Sequence, residues 1–76
     1  MLKVEKKLIY DGVDRYGNDT NFEIEKDDSI NIRLKNGICI DADLKDIDES
    51  FFTIKDYDSG KILLINYDEV DYIEQN

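Results

Sequence analysis

Apolar and polar residues alternate over two adjoining runs of this chain. Ile30, Ile32 and Leu34 hold every second place, Asn36-Gly37 interrupts, and Ile38, Ile40, Ala42 and Leu44 resume the same period. A period of two puts each apolar set on one face of a strand, and Asn-Gly between such runs is a strong hairpin signal. The pattern predicts two antiparallel strands with one buried face, joined by a tight turn at Asn36-Gly37.

The same reading extends in both directions. Leu2, Val4, Leu8, Ile9 and Tyr10 predict a first strand, with Lys3, Glu5 and Lys7 on its exposed side, as suits an edge that must avoid mispairing. Residues 11–21 hold two glycines and many Asp and Asn, which predicts a long loop. Phe22 and Ile24, set among Glu23 and Glu25, predict a short strand closed by Lys26-Asp27-Asp28-Ser29. After the hairpin, apolar contact continues through Leu44, Ile47, Phe51 and Phe52 across the acidic turn Asp46-Ile47-Asp48-Glu49-Ser50. Phe52 and Ile54 face one side of the next strand and Thr53 and Lys55 the other, and residues 56–60 turn again. Ile62 to Ile65 is apolar on both faces, which predicts a central strand. Tyr67-Asp68-Glu69-Val70 predicts one helical turn, and Val70, Tyr72 and Ile73 close the sheet.

The expected fold is therefore all-β: one domain over residues 1–76, a small five- to six-stranded barrel with a single short helical turn before the last strand. Composition agrees. Eleven Ile, three Val, three Phe and five Tyr supply β-branched and aromatic side chains for a short core. With Cys39 the sole cysteine and no histidine in the chain, neither a disulfide framework nor a Cys/His metal cluster is expected. A domain of this size relies on packing, with a partner or a second copy as the usual reinforcement. Residues 1–7 alternate charge with apolar side chains, unlike a signal peptide, and no apolar run approaches a membrane span. An unpaired cysteine in that setting predicts a cytoplasmic protein.

The order of parts from Ile30 to Ile73 resembles the Sm-like small barrel of Sm, Lsm and Hfq proteins. A strand at residues 30–35 enters a turn, a long bent strand runs from Ile38 to Ile47, and a third covers residues 51–54. Ile62 to Ile65, a turn at residues 67–70 and a closing strand complete the series. The resemblance implies rings that bind uridine-rich or adenine-rich RNA, but the residues that carry this do not match. Sm proteins read uridine from an Asp-x-aromatic/Met-Asn loop, and the aligned Asp48-Glu49-Ser50-Phe51 has no Asn at the reading position. The later Arg-Gly loop aligns with Asn66-Tyr67-Asp68, which has neither residue, and of the Tyr-Lys-His triad of Hfq only Tyr67 matches.

Charge points the same way. The net charge is −9, and it is uneven: residues 1–38 hold seven Lys/Arg against eight Asp/Glu, residues 39–76 three against eleven. An acidic half repels nucleic-acid phosphate and anionic lipid. Asp41, Asp43, Asp46, Asp48 and Glu49 form a candidate acidic face for a partner with a basic surface. Tyr57, Tyr67 and Tyr72, each beside an Asp, are candidate contact residues on the same logic. Tyr16, beside Arg15, is the one tyrosine with a basic neighbour. The strands ending at Tyr67 and Tyr72 are the candidate edges for pairing with a partner or with another copy.

No catalytic, metal or cofactor site is expected. No window of the Asp/Asn-rich loop 11–21 satisfies the calcium-loop pattern, and the set Asp41, Asp43, Asp46, Asp48 lacks its Gly and closing Glu. Cys39 has no histidine base and is expected as a partly covered structural residue. The reading is a non-enzymatic binding module working by protein–protein contact, with self-assembly through edge strands as its variant. Two alternatives remain: an acidic inhibitor that imitates nucleic acid, of a kind some phages encode, and an Sm-like ring that binds RNA through Lys3, Lys6, Lys7, Arg15 and Arg33.

Overall fold

The computed structural model describes Leu2 and residues 6–75, and in it the chain forms seven strands and one 3-10 turn. Strand β1 (Lys7–Val13) pairs antiparallel with β2 (Asp19–Glu25) as a separate hairpin. The remaining strands are β3 (Ser29–Leu34), β4 (Cys39–Ile47), β5 (Phe51–Asp56), β6 (Ile62–Asn66) and β7 (Val70–Gln75). They form one antiparallel sheet in the order β6-β5-β4-β3-β7, and a 3-10 turn at Tyr67–Glu69 links its two outermost strands.

The all-β class and the helical turn before the last strand are as expected. The closed barrel of five or six strands is not: seven strands form two sheets, and β6 and β7 end the larger one without pairing to each other. The hairpin β1–β2 takes up the apolar face that closure would have covered.

The register explains the core. Ile30 pairs with Ala42 and Ile32 with Ile40, while Leu44 pairs with Ile54 and Phe52 with Ile65. Residues opposite one another in an antiparallel pair share a face, so these side chains form one apolar layer. Ile24 of the hairpin, Ile30, Ile32, Ala42, Leu44 and Ile54 are completely buried, and Leu34, Phe52, Ile65 and Ile73 nearly so. Leu8, Tyr10 and Phe22 pack on this layer from β1 and β2, with the Tyr10 and Phe22 rings 5.5 Å apart. The Tyr10 ring crosses Gly12, where a Cβ would meet its hydroxyl oxygen at 2.8 Å and the ring at 2.9 Å, and that hydroxyl donates to the Val13 carbonyl at 2.6 Å.

Several local expectations change. Residues 11–21 are mostly strand: Asp11 pairs with Asn21, Gly12 with Thr20 and Val13 with Asp19. Their polar side chains lie on the solvent face, which the ladder tolerates. Only residues 14–18 turn, with the Asp14 carboxylate accepting the amides of Tyr16 at 2.8 Å and Asn18 at 3.0 Å. The Asn36-Gly37 turn is part of a three-residue loop, since Leu34 N–H donates to Ile38 and Gly37 N–H to Leu34. Gly37 has φ of +93°, the left-handed residue that such a loop requires. In the first strand, Lys3, Val4 and Glu5 lie outside the described residues, and Leu2 is exposed and outside any strand.

The largest correction concerns β6. Its apolar run read as a central strand, yet it is an edge, and Ile62 and Leu64 on its outer face are 59% and 54% exposed.

Phe52 holds the middle of the core and stacks on Tyr67, centroids 5.7 Å apart and planes 26° apart. Phe52→Ala should destabilise the domain by about 3–5 kcal/mol, the cost of a large cavity in a core this small. Urea denaturation followed by circular dichroism measures this.

Candidate functional site

The outer face of the five-stranded sheet is built by the positions that alternate with the core: Ser29, Asn31 and Arg33 on β3, Cys39, Asp41 and Asp43 on β4, and Lys55 and Thr53 on β5. The structure brings some of the sequence-predicted residues together here. Asn31 Nδ2 donates to Asp41 at 2.7 Å, and the Tyr57 hydroxyl donates to Asp43 and lies 2.9 Å from the Ser29 hydroxyl. Lys55 pairs with Asp43 in register. Carboxylates and cations are thus interleaved on this face.

The other acids sit apart. A register shift between Leu44 and Asp46 re-aims β4. Beyond it, the side chains of Asp46 and Asp48 accept the amides of the residues that follow them, Ile47 and Glu49, at 2.9 and 2.7 Å. This is turn chemistry at the strand end. Tyr67 is structural: its hydroxyl donates to the Asp48 carbonyl, and burial, then the Asp48 charge, pushes its pKa up. Tyr72 lies opposite Arg33 on the outer face of β7. Cys39, expected as partly covered, is exposed, with Arg33 Nη1 3.6 Å from its sulfur. It ends a strand beside the loop, where no neighbouring layer reaches it. Among the described residues, no three His, Cys, Asp or Glu side chains converge to hold a metal ion, and no helix is long and apolar enough to cross a membrane.

A groove of about 350 Å³ runs between the hairpin and the sheet, lined by Leu8, Ile9, Tyr10, Phe52, Tyr67 and Val70 among others. It is mainly apolar, and the Tyr67 hydroxyl at its wall is already committed to Asp48.

The two edges of the larger sheet differ in a way the sequence did not announce. At β7 the edge is guarded. Arg15 reaches from the hairpin turn to Glu74 and binds its carboxylate through Nε at 2.9 Å and Nη2 at 2.6 Å, while Gln75 Nε2 donates to the Glu23 carbonyl at 3.1 Å. The strand also carries Asp71 and Glu74, charges that discourage pairing. At β6, no described strand pairs with the outer edge. Ile62-Leu63-Leu64-Ile65-Asn66 has no charge along its length, and Ile62 and Leu64 lie on the outer face beside Lys55 and Thr53. Sequence reading missed these two residues as surface groups because an apolar run on both faces is the mark of a central strand. The same pattern suits an edge that another chain covers.

Comparison of the chain with protein-family models, curated proteins and solved structures finds no match in any of the three.

Stability should fall in acid in a way traceable to one pair. Lys45 Nζ lies 2.8 Å from the Asp27 carboxylate, and this hydrogen bond, then the Lys45 charge, holds the Asp27 pKa below its ordinary 3.8. A depressed folded pKa gives stability that is present above the unfolded value and lost as pH falls through the folded one. Asp27 also has φ of +71°, which Asn tolerates, so Asp27→Asn removes the charge without straining the turn. The variant should be less stable than the parent at pH 7 and lose less on going to pH 3, as measured by urea midpoints at both.

Proposed function

We propose that this chain is a non-enzymatic binding module that works by protein–protein contact, and that its working surface is the open β6 edge. The observation that carries this is a charge-free, unpaired edge strand exposing Ile62 and Leu64 in a chain of net charge −9. Natural edge strands are normally blunted by charge, Pro, a bulge or a cover, as β7 is here, and an edge left open and apolar is a template for pairing. Main-chain hydrogen bonds to a partner strand supply affinity, and the alternating Ile62 and Leu64 supply the side-chain contact. The carboxylates at Asp41, Asp43, Asp46, Asp48 and Glu49 act at longer range, favouring the approach of a partner with a basic surface and slowing that of an acidic one. The interleaving of Asp41 and Asp43 with Lys55 and Arg33, and the separation of the other acids, weigh against a continuous imitation of nucleic-acid phosphate.

We also propose kinship with the Sm-like small barrels. Support comes from the strand order, in which β7 returns to pair with β3 after a 3-10 turn, so that β3 to β7 reproduce the series of parts on which the resemblance rests.

The test uses the whole chain as immobilised bait, beside a Leu64→Lys bait, in nuclease-treated extract to which untagged chain has been added. Retention of a protein, another copy included, by the parent and at least about tenfold less by the variant is the expected outcome, because a charge on an edge strand opposes pairing and Leu64→Lys removes its apolar contact. Equal retention by both baits removes the edge from the mechanism. Binding that appears only without nuclease and falls steeply with salt replaces the reading with nucleic-acid binding.

A further inference from the structure

We propose that the occupant of the β6 edge is a second copy of this chain, joined across a two-fold axis at Leu64, β6 antiparallel to β6, in one continuous sheet. This rests on the reading of β6 as a protein-contact edge and adds the partner and the register.

The hydrogen-bonding direction of β6 follows from its two ends. Asp56 N–H donates to Lys61 C=O at 2.9 Å and Tyr67 N–H to Ser50 C=O at 3.3 Å. Residues 61 and 67 therefore turn their backbone groups toward β5. Strand alternation sends those of 63 and 65 the same way and leaves Ile62, Leu64 and Asn66 facing the open edge. A two-fold axis at Leu64 sets Leu64 against Leu64 and Ile62 against Asn66 of the second copy, and each such pair exchanges two backbone bonds. All the outward groups of the strand are then satisfied. Opposed residues share a face, so Ile62 and Leu64 of both copies form one apolar strip on the outer side. Leu63 meets Ile65 of the second copy on the core side.

Charge selects the antiparallel direction. Lys61 stands at one end of β6, and Asp68 and Glu69 follow its other end. In the two-fold register Lys61 falls opposite Tyr67 and beside Asp68 of the second copy, twice over. A parallel arrangement would instead align Lys61 with Lys61 and Asp68 with Asp68.

Closure selects two copies. A ring or filament needs two open complementary edges on each copy, whereas two copies sharing one self-complementary edge close at once. The β7 edge carries Asp71 and the Arg15–Glu74 pair, so the larger sheet offers β6 alone.

The experiment is sedimentation equilibrium of the full chain with Leu64→Lys as control, together with oxidative cross-linking of Leu64→Cys in a Cys39→Ser background. Hydrogen-bonded antiparallel partners have Cα atoms about 5.5 Å apart, within disulfide range. The expected results are a dimer of the 8.9 kDa chain, a monomer for Leu64→Lys, and a covalent dimer through residue 64. Lys61→Glu should weaken the dimer, and adding Asp68→Lys to it should restore it. Circular dichroism confirms folding of each variant; Leu64 is already half exposed, so Lys is accommodated on the monomer. A monomeric parent, a ring, or a dimer indifferent to Leu64→Lys overturns the proposal. If the parent is monomeric while Leu64→Lys still abolishes retention of a different protein, only the two-fold pairing falls. If neither mass nor retention responds, the edge reading falls with it.

Discussion

Everything in this domain depends on burying one apolar layer between a curved sheet and a hairpin. Cys39 is the only cysteine, so no disulfide restricts the unfolded chain, and packing must hold the fold. The joint between the two sheets is therefore critical. Asp27 N–H donates to the Leu44 carbonyl at 2.7 Å, and Leu44 N–H donates to the Asp28 carbonyl at 3.0 Å. The short connection after β2 is thus tied to the middle of β4, next to the register shift that bends the strand. That tie lays Ile24 over the sheet, and Ile24 is completely buried. The left-handed Asp27 is the geometric cost of a connection this tight, and its ion pair with Lys45 anchors the same corner.

The sequence made the hairpin of β3 and β4 legible because both strands keep a strict period of two with a single buried face. Phe52 and Ile54 against Thr53 and Lys55 were legible for the same reason, as was the turn at Tyr67. Residues 11–21 were not. Gly, Asp and Asn are poor strand formers, and their pairing across β1 and β2 follows from a ladder that Leu8, Tyr10, Phe22 and Ile24 anchor from below. Tertiary packing overrode local propensity there. The carboxylates of the candidate site were visible as letters, but the cations threaded among them depend on register, which only pairing across β3, β4 and β5 reveals. Barrel closure was illegible too, because nothing in the strand pattern tells a chain whose last edge joins its first from one whose hairpin covers the gap.

β6 shows why an apolar strand is ambiguous. Apolar residues on both faces suit a central strand, and they equally suit an edge beside which a second chain sets its own apolar residues. The deciding facts lie outside the strand, in which of its neighbours pair and what guards the opposite edge. Among the described residues β6 pairs on one side only, with β5. On the outer face, Ile62 and Leu64 stand in water at a cost the small core must offset.

Net charge sharpens the choice of partner. A chain of −9 repels copies of itself at long range, which suppresses unspecific edge-to-edge encounters. Repulsion of that kind is screened by salt, whereas backbone bonds and apolar contact at a seam are not. Keeping every charge out of Ile62–Asn66, and placing Lys61 and Asp68 at its opposite ends, leaves one approach in which long-range repulsion meets no short-range penalty. On the proposed reading, the acidic surface and the neutral strand are two halves of one device: the first rejects most alignments, and the second rewards the one that remains.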